Sequence, residues 1–309
     1  MIEDLRMGVN ICGIDFKNPV IAASGTFGFG REYAEYIDLG QLGGISVKGL
    51  TLEPRLGNKS PRSAETPAGM LNSVGLQNPG VEAFIENELP FLRQFRDEKL
   101  RIVANVAGSR TEDYAEMVKL LSETEVDAIE LNVSCPNVKD GGITFGTSIE
   151  AISEVVGAVR PLCRKPLIVK LTPNVTDIAV IARAARDAGA DALSLINTLT
   201  GMKIDVYTQR PVLRNNTGGL SGPAVKPIAV RMVWEAANAV DIPIIGMGGI
   251  TSGEDAVEFL LAGACAVMVG TANFIYPDAC IRVLSGISEY MEKTGVKRVR
   301  DLVGKVKMW

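Results

Sequence analysis

Short apolar runs alternate with amphipathic stretches along the whole chain. The runs are rich in β-branched residues, which is typical of strands buried on both faces of a parallel sheet. Eight of them are predicted strands, at residues 19–24, 43–48, 101–107, 128–134, 166–171, 192–197, 243–249 and 266–271. Helical periodicity follows nearly all of these strands, most clearly at residues 111–123, 148–160, 175–189, 224–240 and 252–263.

This order of elements predicts an α/β fold, a (β/α)8 TIM barrel, because open α/β sheets usually stop at five or six strands. Residues 8–18 have the pattern of a small β-hairpin that closes the barrel floor. The connections at 49–82 and 198–222 are long, and the one at 135–147 is rich in glycine and polar residues. Loops that leave the carboxyl ends of barrel strands build the active site, so these insertions are predicted lids. No linker marks a second domain, and we expect a single domain over 1–309.

The amino-acid composition excludes several classes of partner, catalytic group and metal site. The 309 residues have a net charge of −4 and no basic block, so neither nucleic acid nor an anionic membrane is an expected partner. The chain contains no histidine, which excludes Ser-His and Cys-His dyads and His-ligated zinc or haem. Its five cysteines form no C-x-x-C pair, which argues against an iron–sulfur cluster, a zinc ribbon or a disulfide framework in this chain, and we expect no metal site. The charged N-terminal segment and the short apolar runs predict a cytoplasmic protein.

Polar side chains lie at the carboxyl ends of strands that are otherwise apolar. Six of the eight predicted strands carry one there, namely Ser24, Lys48, Asn105, Asn132, Lys170 and Asn197. Any one of these alone could be a satisfied polar group at a strand end, but in a barrel all these ends converge on one mouth. Three asparagines and two lysines suit a flat ligand with several carbonyl and N–H groups.

The last two predicted strands carry a pattern typical of a phosphate site. Gly246, Gly248 and Gly249 follow the seventh strand, and Gly270 and Thr271 follow the eighth. Glycines let backbone N–H groups approach a phosphate closely, and a helix N-terminus adds a favourable dipole. Barrels often bind phosphate with these two loops, so the pair of motifs predicts such a site.

Cys135 opens the polar loop after the fourth predicted strand, whereas a structural cysteine usually lies inside an apolar run, as Cys265 does. In a chain without histidine, a thiol at the barrel mouth is the natural candidate for a base or nucleophile, with a nearby lysine adjusting its pKa. From local context alone, an inert cysteine at a strand end is an equally good interpretation.

Taken together, these residues resemble the family 1 dihydroorotate dehydrogenases over nearly the whole chain. The matching motifs, in the family's order, are ASGTFGFG (23–30), SVKGLT (46–51), NSVGLQNPG (72–80), ANVAG (104–108), ELNVSCPN (130–137), VKLTPN (169–174), INTLTGM (196–202), GGLSGPA (218–224), GMGGI (246–250) and VGTANF (269–274). The segment at 72–80 is more similar to the NAD-linked subclass (class 1B) than to the fumarate-reducing one.

The resemblance implies an FMN enzyme that oxidises (S)-dihydroorotate to orotate in the de novo synthesis of UMP. Cys135 matches the family's base, which would remove the C5 proton while the C6 hydride passes to N5 of FMN. Lys48 is the second position expected to be catalytic, near both the substrate carboxylate and the flavin. Positions that match substrate-binding residues are Lys48, Asn72, Ser73, Val74, Gly75, Leu76, Asn132, Asn197 and Thr198. Positions that match FMN-binding residues are Ser24, Gly25, Lys48, Gly49, Asn105, Asn132, Lys170, Ile196, Gly222, Gly248, Gly249, Gly270 and Thr271. Lys170 would lie beside the pyrimidine end of the flavin, where reduction places negative charge.

The resemblance also implies a partner, because the NAD-linked subclass works with a second subunit that carries FAD and a 2Fe-2S cluster. This chain would then form a homodimer within a heterotetramer. Three alternatives remain open. One is a fumarate-linked member of the same family that needs no partner, and another is a non-catalytic flavin- or phosphate-binding barrel. The third is a Schiff-base aldolase or decarboxylase that uses Lys170 or Lys48, although such an enzyme has no evident use for the asparagines and Cys135.

Overall fold

The core of the protein is a closed barrel of eight parallel strands. The computed structural model describes residues 6–96, 99–134 and 145–309. The barrel strands are β1 (Val20–Ala22), β2 (Gly44–Ser46), β3 (Arg101–Val106), β4 (Ala128–Asn132), β5 (Leu167–Lys170), β6 (Ala192–Leu195), β7 (Ile244–Met247) and β8 (Ala266–Val269). Each strand pairs with the next along the chain, and β8 pairs with β1 to close the sheet. All eight predicted strands are confirmed. Almost every residue in them is buried, which explains the continuous apolar runs.

Helices surround the barrel, and the first five of those named here lie at the positions that the periodicity predicts. They are α1 (Thr111–Ser122), α2 (Ile149–Val159), α3 (Ile178–Asp187), α4 (Lys226–Ala239), α5 (Gly253–Ala262) and α6 (Ala279–Thr294). Ser148 caps α2 by accepting from the backbone N–H of Ala151. Ser252 and Asp255 form a capping box at the start of α5. The helix α6 was not among the clearest sequence patterns.

The first strand departs from the predicted strand–helix alternation. It is followed by two 3-10 turns, Tyr33–Glu35 and Leu39–Gln41, where a barrel helix would normally pack. The intervening segment contains Gly25, Gly28 and Gly30, all with positive φ, so the chain turns repeatedly there. A helix that the sequence patterns did not single out comes after β2, in the segments Val81–Ala83, Phe84–Glu88 (a π-helical turn) and Leu89–Arg93.

A β-hairpin closes the floor of the barrel, as predicted. Its strands, Val9–Ile11 and Ile14–Phe16, pair antiparallel. The thiol of Cys12 donates to the carbonyl of Asp191, just before β6, at 3.1 Å. Nε of Arg101, the first residue of β3, donates to the carbonyl of Asp15 at 2.8 Å. The hairpin therefore contacts the amino ends of the barrel strands.

The two long insertions form a sheet of their own, which we call the cap sheet. It has four antiparallel strands in the order Leu199–Gly201, Gly218–Ser221, Gly69–Asn72 and Ser63–Thr66. A further short ribbon pairs Ile204–Asp205 with Arg210–Pro211. The predicted lids are thus ordered β-structure. Most of the third predicted lid, residues 135–144, lies outside the described residues.

Within the described ranges, no helix combines the length and the apolar character needed to cross a membrane.

Candidate active site

A cavity of about 1040 Å³ lies between the carboxyl ends of the barrel strands and the cap sheet. Gly246, which the phosphate pattern included, lies inside β7 and is not part of the wall of this cavity. Of the other predicted site residues, all but three line the cavity. They are Ser24, Gly25, Lys48, Gly49, Asn72, Val74, Gly75, Leu76, Asn132, Lys170, Ile196, Asn197, Thr198, Gly222, Gly248, Gly249, Gly270 and Thr271. The structure therefore brings together residues that are spread over more than two hundred positions of the chain.

The three exceptions differ from one another. Asn105 is fully buried, and an ideal Cβ on Gly49 would lie 2.9 Å from its Oδ1, which places Asn105 directly behind the cavity wall. Ser73 is buried between two lining residues, and its hydroxyl has no hydrogen-bond partner among the described residues. Cys135 lies outside the described residues, so its role stays a prediction.

The asparagines of the cavity hold one another in defined orientations. Oδ1 of Asn132 accepts from the backbone N–H and the hydroxyl of Ser134, at 3.2 and 2.8 Å. Nδ2 of Asn197 donates to the same hydroxyl at 2.8 Å, and its Oδ1 accepts from the N–H of Thr198 at 2.8 Å. Because an amide both donates and accepts, this group can match a ring that carries both carbonyl and N–H groups.

Two lysines bring positive charge to the cavity. The side chain of Lys170 is only 6% exposed, and its Nζ lies 3.9 Å from Oε2 of Glu130. Nζ of Lys48 lies 4.0 Å from the position that a Cβ on Gly25 would occupy. Each lysine is therefore placed to bind an anionic or carbonyl group of a ligand.

The glycine-rich end of the cavity is built from two 3-10 turns and a glycine of positive φ. Gly222 and Gly270 precede the 3-10 turns Pro223–Val225 and Thr271–Phe274, and a glycine has no side chain to cap the first N–H groups of a turn. Gly249 has a φ of +81°, and a Cβ there would lie 2.8 Å from the carbonyl oxygen of Gly222. A side chain at position 249 would therefore collide with the loop at Gly222, so a glycine is needed to keep the two loops in contact.

A carboxylate holds the loop that leads from this glycine to α5. Asp255 Oδ2 accepts from the backbone N–H groups of Thr251 and Ser252, at 2.8 and 2.9 Å, while Lys226 donates to Oδ1 at 2.6 Å. Burial raises the pKa of Asp255, but hydrogen bonds from Lys226 and Thr251 outweigh it, so the pKa lies below its usual value. The loop is thus fixed by a carboxylate that stays ionised at neutral pH.

Comparison with known proteins identifies the family. The profile of the family described as "Dihydroorotate dehydrogenase" matches residues 6–291. The chain belongs to the dihydroorotate dehydrogenase family. This membership confirms the resemblance seen in the ordered motifs.

Curated relatives within the family match almost end to end. The "Dihydroorotate dehydrogenase B (NAD(+)), catalytic subunit" of Alkaliphilus metalliredigens is 60% identical over 300 residues, covering 97% of this chain and 98% of the relative. A protein of the same name from Thermoanaerobacter pseudethanolicus is 56% identical over 304 residues, covering 98% and 100%. Among solved structures, the dihydroorotate dehydrogenase of Eimeria tenella, crystallised with ferulenol, has a TM-score of 0.85 at 25% identity and covers 98% of this chain and 89% of that one.

The sequence analysis did not single out one charged residue that lies beneath the cavity. Glu130 lies in the middle of β4, is fully buried, and contacts Asn105 and Lys170. The signal that could have found it is a carboxylate within an otherwise apolar strand, because a buried charge is costly unless it is paired. Residues 49–82 were predicted as a lid, but the wall residues from Arg62 to Met70 were not singled out within it.

Proposed function

We propose that this chain is the catalytic subunit of an NAD-linked dihydroorotate dehydrogenase, which oxidises (S)-dihydroorotate to orotate in pyrimidine synthesis. The observation that carries the proposal is the single cavity in which the amides, two lysines and the glycine-rich end meet. Support comes from the 60% identity, over nearly the full length of both proteins, to a relative of that name.

FMN is the cofactor that we propose for this cavity. A volume of about 1040 Å³ accommodates a flavin nucleotide together with a small substrate. The buried hydroxyls of Thr66 and Ser73, in or beside the cavity wall, have no hydrogen-bond partner among the described residues, as expected of a wall that a ligand completes. When bound, FMN supplies the ring that accepts the hydride.

The proposed FMN-binding residues divide by chemistry. The glycine-rich end would hold the phosphate, through Gly222, Gly248, Gly249, Gly270 and Thr271. Lys170 would lie at the pyrimidine end of the ring, where its positive charge stabilises the negative charge that reduction brings. The remaining positions proposed to contact the ring and the ribityl chain are Ser24, Gly25, Lys48, Gly49, Asn105, Asn132 and Ile196.

Dihydroorotate would be held by the amides and by Lys48. Its ring carries two N–H groups and two carbonyls, which the side chains of Asn72, Asn132 and Asn197 can match as donors and acceptors. Lys48 would pair with the substrate carboxylate in a charge-assisted hydrogen bond. The hydroxyl of Thr198 and the backbone of 73–76 would add further contacts, and Cys135 would remove the C5 proton. The surrounding cap sheet would exclude water from these groups.

Electron transfer to NAD requires another protein in this proposal. The five cysteines of this chain contain no C-x-x-C pair, and the relatives are named as catalytic subunits. We therefore propose a partner subunit with FAD and a 2Fe-2S cluster, joined to a homodimer of this chain in a heterotetramer. We also propose that residues 1–309 act as one domain, because both long insertions fold into one sheet over the same cavity. The cytoplasmic location stays a prediction.

Orotate formation in the presence and absence of the partner tests this proposal. We expect the chain alone to oxidise dihydroorotate with an artificial electron acceptor but not with NAD, and we expect the reconstituted complex to reduce NAD. Rapid turnover of the chain alone with fumarate would instead favour the self-sufficient subclass. Absence of orotate under every condition would contradict the proposed activity.

A further inference from the structure

A ring of polar side chains crosses the interior of the barrel beneath the cavity. Five neighbouring strands each contribute one member, in the order Ser46 (β2), Asn105 (β3), Glu130 (β4), Lys170 (β5) and Ser194 (β6). Interior layers of such barrels are normally filled by branched apolar residues. Burying such a polar layer costs free energy. Lys170 lines the cavity and Asn105 lies directly behind its wall, so the layer is placed to act on a ligand there.

Glu130 is the centre of this ring. Its Oε1 accepts from the hydroxyl of Ser194 at 2.7 Å, and its Oε2 accepts from the hydroxyl of Ser46 at 2.8 Å. Nδ2 of Asn105 donates to the same Oε2, and Nζ of Lys170 lies 3.9 Å from it. The carboxylate is fully buried, and each of these neighbours is a hydrogen-bond donor or a cation.

These contacts determine what Asn105 offers to a ligand. A carboxylate only accepts, so the amide must turn its Nδ2 towards Glu130. Its Oδ1 is then directed to the cavity side, where Nδ2 of Asn132 lies at 3.5 Å and the wall at Gly49 is close. Rotating the amide by half a turn would bring its oxygen against the carboxylate. Glu130 therefore makes Asn105 an acceptor towards the cavity.

The same carboxylate opposes the charge of Lys170. Transfer of a hydride, two electrons and one proton, to a flavin leaves one negative charge at the pyrimidine end of the ring. Lys170 favours that charge, whereas a buried negative group 3.9 Å from its Nζ disfavours it, because such a charge is weakly screened in a protein interior. The balance of these two groups would set how readily the bound flavin is reduced.

We propose that Glu130 is a positioning residue, which fixes Asn105 as an acceptor and, through its charge beside Lys170, lowers the reduction potential of FMN in this cavity. The inference rests on the proposed function, since it takes FMN as the ligand. Glu130 itself contacts neither the cofactor nor the substrate in this proposal.

The substitution Glu130→Gln tests the charge. Its amide oxygen can accept from Ser46 and Asn105 while its NH2 group donates to Ser194, whose hydroxyl can also accept, so the ring keeps its shape. We expect the two-electron equilibrium to shift at least tenfold towards reduced FMN, which is about 30 mV. The matched control Ser194→Ala removes one hydrogen bond to the same carboxylate but keeps its charge. It should leave the potential unchanged within about threefold in the equilibrium constant, or about 14 mV.

The substitution Glu130→Met tests the positioning of Asn105, because it removes both the charge and the acceptor. We expect FMN to dissociate at least tenfold faster from this variant than from the parent, and we expect Glu130→Gln to restore slow dissociation. Urea midpoints of the flavin-free proteins provide a second readout. Variants that lose stability but keep the parent's potential and FMN dissociation rate would show a merely structural role and would overturn the inference.

Failure of this inference can be told apart from failure of the proposed function. If the parent and Glu130→Gln both bind FMN and are reduced by dihydroorotate at the same potential, the role of Glu130 is wrong and the function stands. If the parent itself binds no FMN, the proposed function and the inference both fail.

Discussion

Replacing Lys170 with methionine should destabilise the protein more than the same replacement at Lys226, although Lys226 has the shorter ion pairs. Nζ of Lys226 lies 2.6 Å from both Asp255 and Glu258, but its side chain is 24% exposed. The Lys170–Glu130 pair is 3.9 Å apart, with side chains that are 6% and 0% exposed. Loss of one partner from a buried pair leaves an uncompensated charge and costs about 3–5 kcal/mol. Loss of a partner from a pair that water reaches more easily costs less, towards the roughly 0–1 kcal/mol of a solvent-exposed pair.

Three hydrogen bonds to Glu130 remain in Lys170→Met. We therefore expect this variant to lose about 3 kcal/mol of unfolding free energy, at the lower end of the range for a broken buried pair. Urea unfolding of the flavin-free proteins, followed by circular dichroism, measures the difference. The double variant Lys170→Met, Glu130→Gln removes both charges and should recover most of the loss. If Lys226→Met lost as much stability as Lys170→Met, or the double variant recovered nothing, burial of charge would not be the cause.

Three further predictions concern other parts of the molecule. Cys135→Ser should keep bound FMN but slow its reduction by dihydroorotate roughly 100-fold or more near neutral pH in stopped-flow experiments, and unchanged kinetics would remove this thiol from the mechanism. Gly253→Ala should lower the thermal midpoint, because a Cβ there would lie 2.2 Å from the carbonyl carbon of Gly286 in α6, whereas Gly157→Ala, with nothing within 4 Å, should not. Burial raises the pKa of the Cys280 thiol from 9.0 to about 12, so its contribution to stability is present below pH 9.0 and lost as the pH rises towards 12. Between about pH 8 and about pH 10.5, Cys280→Ala should therefore lose about 2 kcal/mol less unfolding free energy than the parent, and parallel pH curves would contradict this.

The barrel could be predicted from the sequence because its determinants are local. Each strand is a short apolar run, and each pairs with its neighbour along the chain, so no distant pairing has to be guessed. The capped starts of α2 and α5 are also local signals. The predicted strand–helix alternation was wrong after β1, because the glycines that follow this strand turn the chain where a helix would lie.

The cap sheet could not be predicted because its strands are short, rich in glycine and distant in sequence. Asn72 and Gly219 face each other across two of its strands, although 147 residues separate them. Glycine-rich segments carry little hydrophobic alternation, which is the signal that identifies a strand. The insertions were therefore predicted only as lids over the active site.

The residues that line the candidate site were predicted better than the buried residues that hold them in place. Residues at strand ends, such as Asn132 and Lys170, stand out as polar positions that end apolar runs. The contacts of Glu130 with Ser46 and Ser194 depend on barrel closure, which brings strands β2 and β6 to opposite sides of β4. Nothing in the local sequence of these serines indicates that they share a carboxylate.

The measurement that tests the central claim most directly is an anaerobic visible spectrum of the purified chain, recorded before and after addition of dihydroorotate. We expect an FMN absorption band that bleaches with dihydroorotate and does not recover with NAD or fumarate until the partner subunit is added. A chain that binds no flavin and cannot be reconstituted with FMN, or a bound flavin that dihydroorotate leaves oxidised, would contradict the proposed activity.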